Sequence, residues 1–110
     1  MNLENNNIIY IIINYLEQIK GTDINIINLT KVENIIFDYI VICSASSSIQ
    51  VSSIGRSVKE KIWKKPIHIE GLINAQWVLM DYDTILVNIF KNSIRKYYDI
   101  ETLWMKMLLK

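Results

Sequence analysis

Cysteine, proline, histidine and glycine are all scarce in this chain: 110 residues hold one Cys, one Pro, one His and three Gly. The single thiol, Cys43, excludes a disulfide framework and a thiolate metal site. It lies inside the apolar run of residues 39–43, where a thiol behaves as a small buried hydrophobe. With so few glycines there is no Gly-rich phosphate loop, and no low-complexity linker divides the chain. The lone His68 has no Cys or Ser arranged beside it as a nucleophile, so a catalytic triad is not indicated. Alternation with Ile67 and Ile69 makes it an exposed or hydrogen-bonded strand residue. An excess of one charge is also missing, since 12 basic and 11 acidic residues leave a net charge of +1. A nucleic-acid binder usually carries a basic stripe. The dense basic patch here, Lys59, Lys61, Lys64 and Lys65, is interrupted by Glu60 and reads as a solvated helix face. Direct nucleic-acid specificity is therefore not expected. The apolar run of residues 8–13 is too short to span a bilayer, and the N-terminus lacks the basic flank of a signal peptide. The expectation is a cytoplasmic protein with no membrane partner.

What the chain does have is core. Hydrophobic residues make up 51% and charged residues 21%, the balance of a folded globular protein. One domain over residues 1–110 is expected, with 105–110 as a short tail. Isoleucine, asparagine and lysine are over-used in the manner of AT-rich coding drift, which weakens arguments from a single Asn or Lys.

Ile8, Ile9, Ile12, Ile13, Leu16 and Ile19 recur at helical spacing, and Gly21 is placed to end that helix. A short strand follows over 24–29. Tyr39-Ile40-Val41-Ile42-Cys43 is a continuous β-branched run, the pattern of a central strand covered on both faces. It leads into Ser44-Ala45-Ser46-Ser47-Ser48. There Ser47 and Gln50 have capping-box spacing for a helix whose apolar face is Val51, Ile54, Val58 and Ile62. Pro66 bounds that helix, and Trp63 near its end is expected to be half-buried. Residues 67–70, 77–81 and 85–90 read as strands, the last two joined by a tight Tyr82-Asp83-Thr84 hairpin. Asn92 or Ser93 is a candidate cap for a helix through Tyr98. Asp99 is a candidate cap for a last turn carrying Leu103 and Trp104, with Trp104 as a clasp that packs that turn onto the domain. The order predicts an α/β single domain, a mixed β-sheet of about five strands with packed helices.

One segment stands out. In Glu70-Gly71-Leu72-Ile73-Asn74-Ala75-Gln76-Trp77-Val78-Leu79-Met80-Asp81-Tyr82-Asp83, a strand opens on tryptophan after a Glu-Gly corner. Alternation sends Trp77, Leu79 and Asp81 to one face and Val78, Met80 and Tyr82 to the other. An aromatic, an aliphatic and an acid on one face is a mixture suited to protein binding. Asp81 and Asp83, two apart, also have the spacing by which nucleotidyltransferases present carboxylates to divalent metals. That arrangement needs a third acid on a neighbouring strand, where Asn88 stands, and Asp83 lies in the turn, where Asp is favoured for local hydrogen bonding. The Ser-rich corner after residue 43 lacks a phosphate loop's Gly spacing and lysine, so it reads as a helix cap.

Three blocks in register resemble the ribosomal silencing factor family, also called the Iojap or RsfS family. They are Asp38-Tyr39-Ile40-Val41-Ile42-Cys43-Ser44-Ala45-Ser46-Ser47; Glu70-Gly71 with Trp77-Val78-Leu79-Met80-Asp81-Tyr82 and Val87-Asn88-Ile89-Phe90; and Arg95-Lys96-Tyr97-Tyr98-Asp99-Ile100-Glu101-Thr102-Leu103-Trp104. Departures are Asn88 and Gln50 where the family usually has His, Asp83-Thr84 in place of Gly-Asp, and a shorter loop before Pro66. The resemblance implies a nucleotidyltransferase-like fold without catalysis, cofactor or metal. It implies binding to the large ribosomal subunit through ribosomal protein uL fourteen, which blocks subunit joining and represses translation. It places the partner surface on Trp77, Leu79, Asp81 and Tyr82, with Glu70 on the rim. An exposed Trp77 face could equally support a homodimer of the free protein. The alternative function is a metal-dependent nucleotidyltransferase using Asp81 and Asp83.

Overall fold

The computed structural model describes residues 3–109, and side chains from residue 8 onward. The expected domain ends, residues 1, 2 and 110, lie outside that range. In chain order the elements are α1 (Leu3–Gln18), β1 (Thr22–Asn28), β2 (Tyr39–Ala45), α2 (Ser48–Lys61), β3 (His68–Glu70), β4 (Trp77–Asp81), β5 (Ile85–Lys91), α3 (Asn92–Tyr98) and α4 (Ile100–Leu108). The strands form one sheet in the order β1-β2-β5-β4-β3. Strands β2 and β5 run parallel, and the other neighbour pairs of this sheet are antiparallel. The expected mixed five-stranded α/β domain is what the chain builds.

Period-two alternation along the strands sorts the core into two layers. On one face Val41, Cys43, Val78, Met80, Val87 and Ile89 meet Ile8, Ile12 and Leu16 of α1 and Val51, Ile54 and Val58 of α2. On the other, Ile27, Ile40, Ile42 and Phe90 are covered by Ile94 of α3, Ile100 and Trp104 of α4, and the 29–37 connection. Ile40 through Cys43 are fully buried, as a central strand requires. Trp104 serves as the anticipated clasp.

Several local signals act with a twist. Ser47 Oγ accepts the Gln50 N–H at 3.1 Å, so the cap of α2 is real. The Gln50 side chain, however, accepts from Ser46 N–H (2.8 Å) and Ser46 Oγ (2.9 Å), one residue before the cap. Gly21 donates to the Leu16 carbonyl at 2.8 Å, but the left-handed residue that turns the chain out of α1 is Lys20, at φ 68°. At the far end of α2, Lys65 Nζ donates to the carbonyls of Lys59 (2.8 Å), Glu60 (3.0 Å) and Ile62 (3.1 Å). That satisfies carbonyls a helix end otherwise leaves orphaned. One cation of the basic patch is thereby spent on structure.

Four expectations need correction. Trp63 is 62% exposed, because α2 ends at Lys61 and the chain leaves the core after Ile62. Neither Asn92 nor Ser93 caps α3; the cap position is Lys91, with no side-chain bond, since β5 passes directly into the helix. Asp99 sits left-handed between α3 and α4 (φ 44°) and accepts from Thr102 Oγ1 at 2.6 Å rather than from a backbone amide. Finally, residues 105–108 are not a tail: α4 continues to Leu108, built from the good helix formers Met, Lys and Leu.

Candidate functional site

The helices α3 and α4 cover the β1-β2-β5 part of their sheet face, with α3 lying against β5 and β2. Further out, on β4 and β3, the same face carries the residues singled out above. Antiparallel register lines them up in rows. Trp77 lies opposite Phe90, Leu79 opposite Asn88, and Asp81 opposite Leu86. Across the β3 side, Glu70 pairs with Leu79 and His68 with Asp81. Trp77, Leu79, Asp81 and Glu70 thus share one face, as alternation predicts. Trp77, Leu79 and Asp81 are half-buried while Glu70 and His68 are exposed.

Trp77 is neither a core residue nor a loose one. Its ring stacks on Phe90, with centroids 4.7 Å apart and planes 26° from parallel. Its Nε1–H donates to Asn88 Oδ1 at 3.0 Å. Asn88 is 2% exposed and its Nδ2 donates to the Val41 carbonyl at 3.2 Å. One buried amide therefore ties the indole to the central strand. A side chain held this way loses little rotamer freedom when something covers it. The loop leading into β4 is equally constrained. Gly71 stands at φ +93°, and a Cβ there would fall 2.0 Å from the Trp77 carbonyl oxygen. The Glu-Gly corner is a place where only glycine fits.

Two acidic groups, Asp81 and Glu70, stand beside Leu79 at one end of the patch. Asp81 Oδ1 accepts the Asp83 N–H at 2.8 Å, closing the hairpin turn, in which Asp83 is left-handed at φ 79°. Glu70 Oε1 lies 3.0 Å from His68 Nε2, a contact between exposed groups that adds little to stability. The two aspartates do not form a shared carboxylate face, because β4 ends at Asp81 and the i, i+2 rule holds only within a strand. Among the described residues no cluster of three or more His, Cys, Asp or Glu gathers.

Tyr82 requires a correction as a surface residue. It is 1% exposed and packs with the α1–α2 layer on the opposite side of the sheet. Its hydroxyl has no hydrogen-bond partner among the described residues, and burial pushes its pKa up to about 12. Cys43 is likewise inert: burial raises its thiol to about 12, against a smaller opposing pull from the Arg95 charge.

Two features go beyond what the sequence reading singles out. There Asn88 figures as the residue standing where an acid would be needed and where the family usually has His, yet an Asn inside the apolar run 85–90 signals a buried polar group that must find partners. The other is Arg95. Its Nε and Nη2 bond Glu101 Oε1 (2.7 Å) and Oε2 (3.1 Å). Its Nη1 reaches the Asp23 carbonyl (2.8 Å) and Ser44 Oγ (2.7 Å). Asn25 also donates to Glu101, at 2.9 Å. The Arg95 hydrogen bonds hold the Glu101 carboxyl below its ordinary range, against partial burial and with help from Asn25. This fork locks α3 and α4 onto β1 and β2.

A family profile described as "Ribosomal silencing factor during starvation" matches residues 2–109. The ribosomal silencing factor RsfS of Chromobacterium violaceum is 34% identical over 92 residues, 81% of this chain and 75% of that protein. The RsfS of Halalkalibacterium halodurans is 29% identical over 105 residues, 93% of this chain and 89% of its own. Among solved structures, a crystal structure of a Chromobacterium violaceum protein superposes with a TM-score of 0.83 at 31% identity, covering 90% of this chain and 84% of that one. A Bacillus halodurans structure superposes at 0.76 and 25% identity, covering 90% and 94%. Profile, relatives and fold agree over nearly the whole chain, which belongs to the ribosomal silencing factor family, whose role is to silence ribosomes and so repress translation.

Proposed function

We propose that this chain binds the large ribosomal subunit through the Trp77–Leu79–Asp81 face, with Glu70 at its rim, and by occupying that place keeps the small subunit from joining. Ribosomal protein uL fourteen is the partner that the family resemblance implies. The mechanism is steric occlusion in the cytoplasm, with no chemistry, cofactor or metal. The observation that carries it is the indole of Trp77, partly exposed yet held by Phe90 and Asn88 at the edge of the α3–α4 cover. Such a pre-positioned aromatic inside a polar rim is the anatomy of a binding anchor. Glu70 and Asp81 suit a basic partner surface and contribute to orientation and on-rate more than to affinity.

Co-sedimentation with purified large subunits at physiological salt, with and without small subunits, tests this. The chain is expected to pellet with large subunits and to suppress joining. Trp77→Ala removes about 2 kcal/mol or more, roughly a thirtyfold loss of affinity. Glu70→Lys, an exposed change that touches no core, weakens association chiefly through its rate. A folded Trp77→Ala protein that pellets as well as the parent would move the binding site elsewhere. Retention without suppressed joining would separate binding from occlusion.

A further inference from the structure

The aromatic surface does not stop at Trp77. Tyr98, on the last turn of α3, has its ring centroid 5.5 Å from that of Trp77, tilted by 43°. Tyr97 meets Tyr98 edge-on at 5.0 Å and 88°. The two tyrosines are 79% (Tyr97) and 55% (Tyr98) exposed. Phe90, Trp77, Tyr98 and Tyr97 therefore form a continuous aromatic ridge, running from the buried sheet out to the tip of a helix. The core does not call for the outer half of that ridge, since Ile94 already anchors α3 in the second layer. Contiguous exposed rings of this kind mark an interaction surface. Tyrosine offers large contact area with few rotamers to freeze.

We propose that Tyr98 and Tyr97 form a second wall of the partner site, so that the bound protein spans from β3 across Trp77 onto α3. This rests on the Trp77 face being the ribosome-binding face. The occupant of the new wall is a basic protein surface, whose arginine and aliphatic side chains lie on the tyrosine rings. Two observations favour it. The wall is continuous with Trp77, and the sheet end of the same surface carries Glu70 and Asp81, which select a cationic partner. Arginine stacks on aromatic faces while bonding carboxylates, so one kind of side chain serves both ends. The cations flanking the ridge in sequence are Arg95, committed to its fork with Glu101, Lys96, which is exposed, and Lys91, which is partly buried.

The test measures affinity for purified large subunits across a salt series, for Tyr97→Ala, Tyr98→Ala, Tyr98→Phe, Lys96→Glu and Trp77→Ala. The expected result is a loss of about tenfold for Tyr98→Ala and somewhat less for Tyr97→Ala, the range of secondary interface residues. Tyr98→Phe, which keeps the ring, stays within about threefold, and Lys96→Glu does not weaken binding. Tyr97 is so exposed that its truncation leaves the fold intact, which secures the test if Tyr98→Ala loosens α3. Parental affinity for both alanine variants, alongside a loss in Trp77→Ala, would end the surface at the sheet and overturn this inference alone. Parental affinity in Trp77→Ala as well would overturn the face itself. A loss in Lys96→Glu with a flattened salt dependence would put a phosphate backbone against α3 in place of a protein.

Discussion

Replacing Asn88 by aspartate should convert the anchor's support into a pH-dependent element. In the parent, the amide accepts from Trp77 Nε1–H and donates to the Val41 carbonyl, at a site that is 2% exposed. A protonated aspartic acid reproduces both bonds, its carbonyl accepting and its O–H donating. An ionised one cannot donate, faces the Val41 oxygen, and leaves a charge in the interior. The folded-state pKa of the introduced carboxyl is then raised above the unfolded value of about 3.9. A raised acid pKa means the folded state binds the extra proton, so Asn88→Asp is most stable below the unfolded pKa. That stability is lost as pH rises towards the folded pKa, by up to about 1.4 kcal/mol per pH unit. At neutral pH the cost is that of a buried charge without a cationic partner, about 3–5 kcal/mol. The uncharged control Asn88→Leu deprives the indole N–H of its acceptor and the Val41 carbonyl of its side-chain donor at every pH, for about 1–3 kcal/mol. Urea unfolding of parent and variants, compared at each pH from about 4 to 7.5, reads these numbers directly. With a urea slope of about 1–3 kcal/mol per M, the neutral-pH shift exceeds roughly 1 M. An Asn88→Asp penalty that does not change with pH, or a Leu variant as stable as the parent, would refute the account of how Trp77 is held.

Gly71→Ala should destabilise the chain by more than about 2 kcal/mol in thermal or urea unfolding, since the new Cβ meets the Trp77 carbonyl at 2.0 Å and the residue is held at φ +93°; an unchanged melting temperature would show that the corner can relax. Tyr82→Phe should be neutral or stabilising by up to about 1 kcal/mol, because it removes a buried hydroxyl with no partner among the described residues. It should also leave ribosome binding unchanged, and a loss of binding there would return Tyr82 to the site. Glu101, whose folded pKa is depressed by Arg95, contributes stability that is complete above the ordinary carboxylate range and lost as pH falls through the depressed value. Amide protection factors in α4, taken against the intrinsic exchange rate at each pH, should fall on acidification in the parent and be low already at neutral pH in Glu101→Gln; full protection in that variant would show the fork to be dispensable.

What is legible in the chain is what local chemistry encodes. The β-branched run of 39–43 announces a central strand, Ser47 announces a helix start, and alternation from Trp77 to Asp81 assigns the faces of β4. The family blocks then join these pieces in the correct order. What escapes depends on register between distant segments. The Trp77–Asn88 bond exists because β4 and β5 pair with Leu79 opposite Asn88. The α3–α4 break falls at Asp99, where the sequence places a cap, but the left-handed backbone that makes it, a conformation Asp adopts more readily than most residues, is not legible from spacing. Tyr82 departs only from what the resemblance implies, because alternation already sends it to the face opposite Asp81, and there it is buried. The helix at 105–108, by contrast, is readable from the propensities of Met, Lys and Leu alone.

Arg95 bonds to groups 72 and 51 positions earlier in the chain, and that distance sets a timetable for synthesis. The strands β1 and β2, with α1 and α2, can assemble their shared layer as soon as β5 has emerged to pair with β2. The opposite layer, with Ile27, Ile40, Ile42 and Phe90, waits for Ile94, Ile100 and Trp104. Before those helices follow, the cover that the chain has made for that face is the 29–37 connection. The two helices α3 and α4 thus close the second layer over a sheet whose first layer needs neither of them.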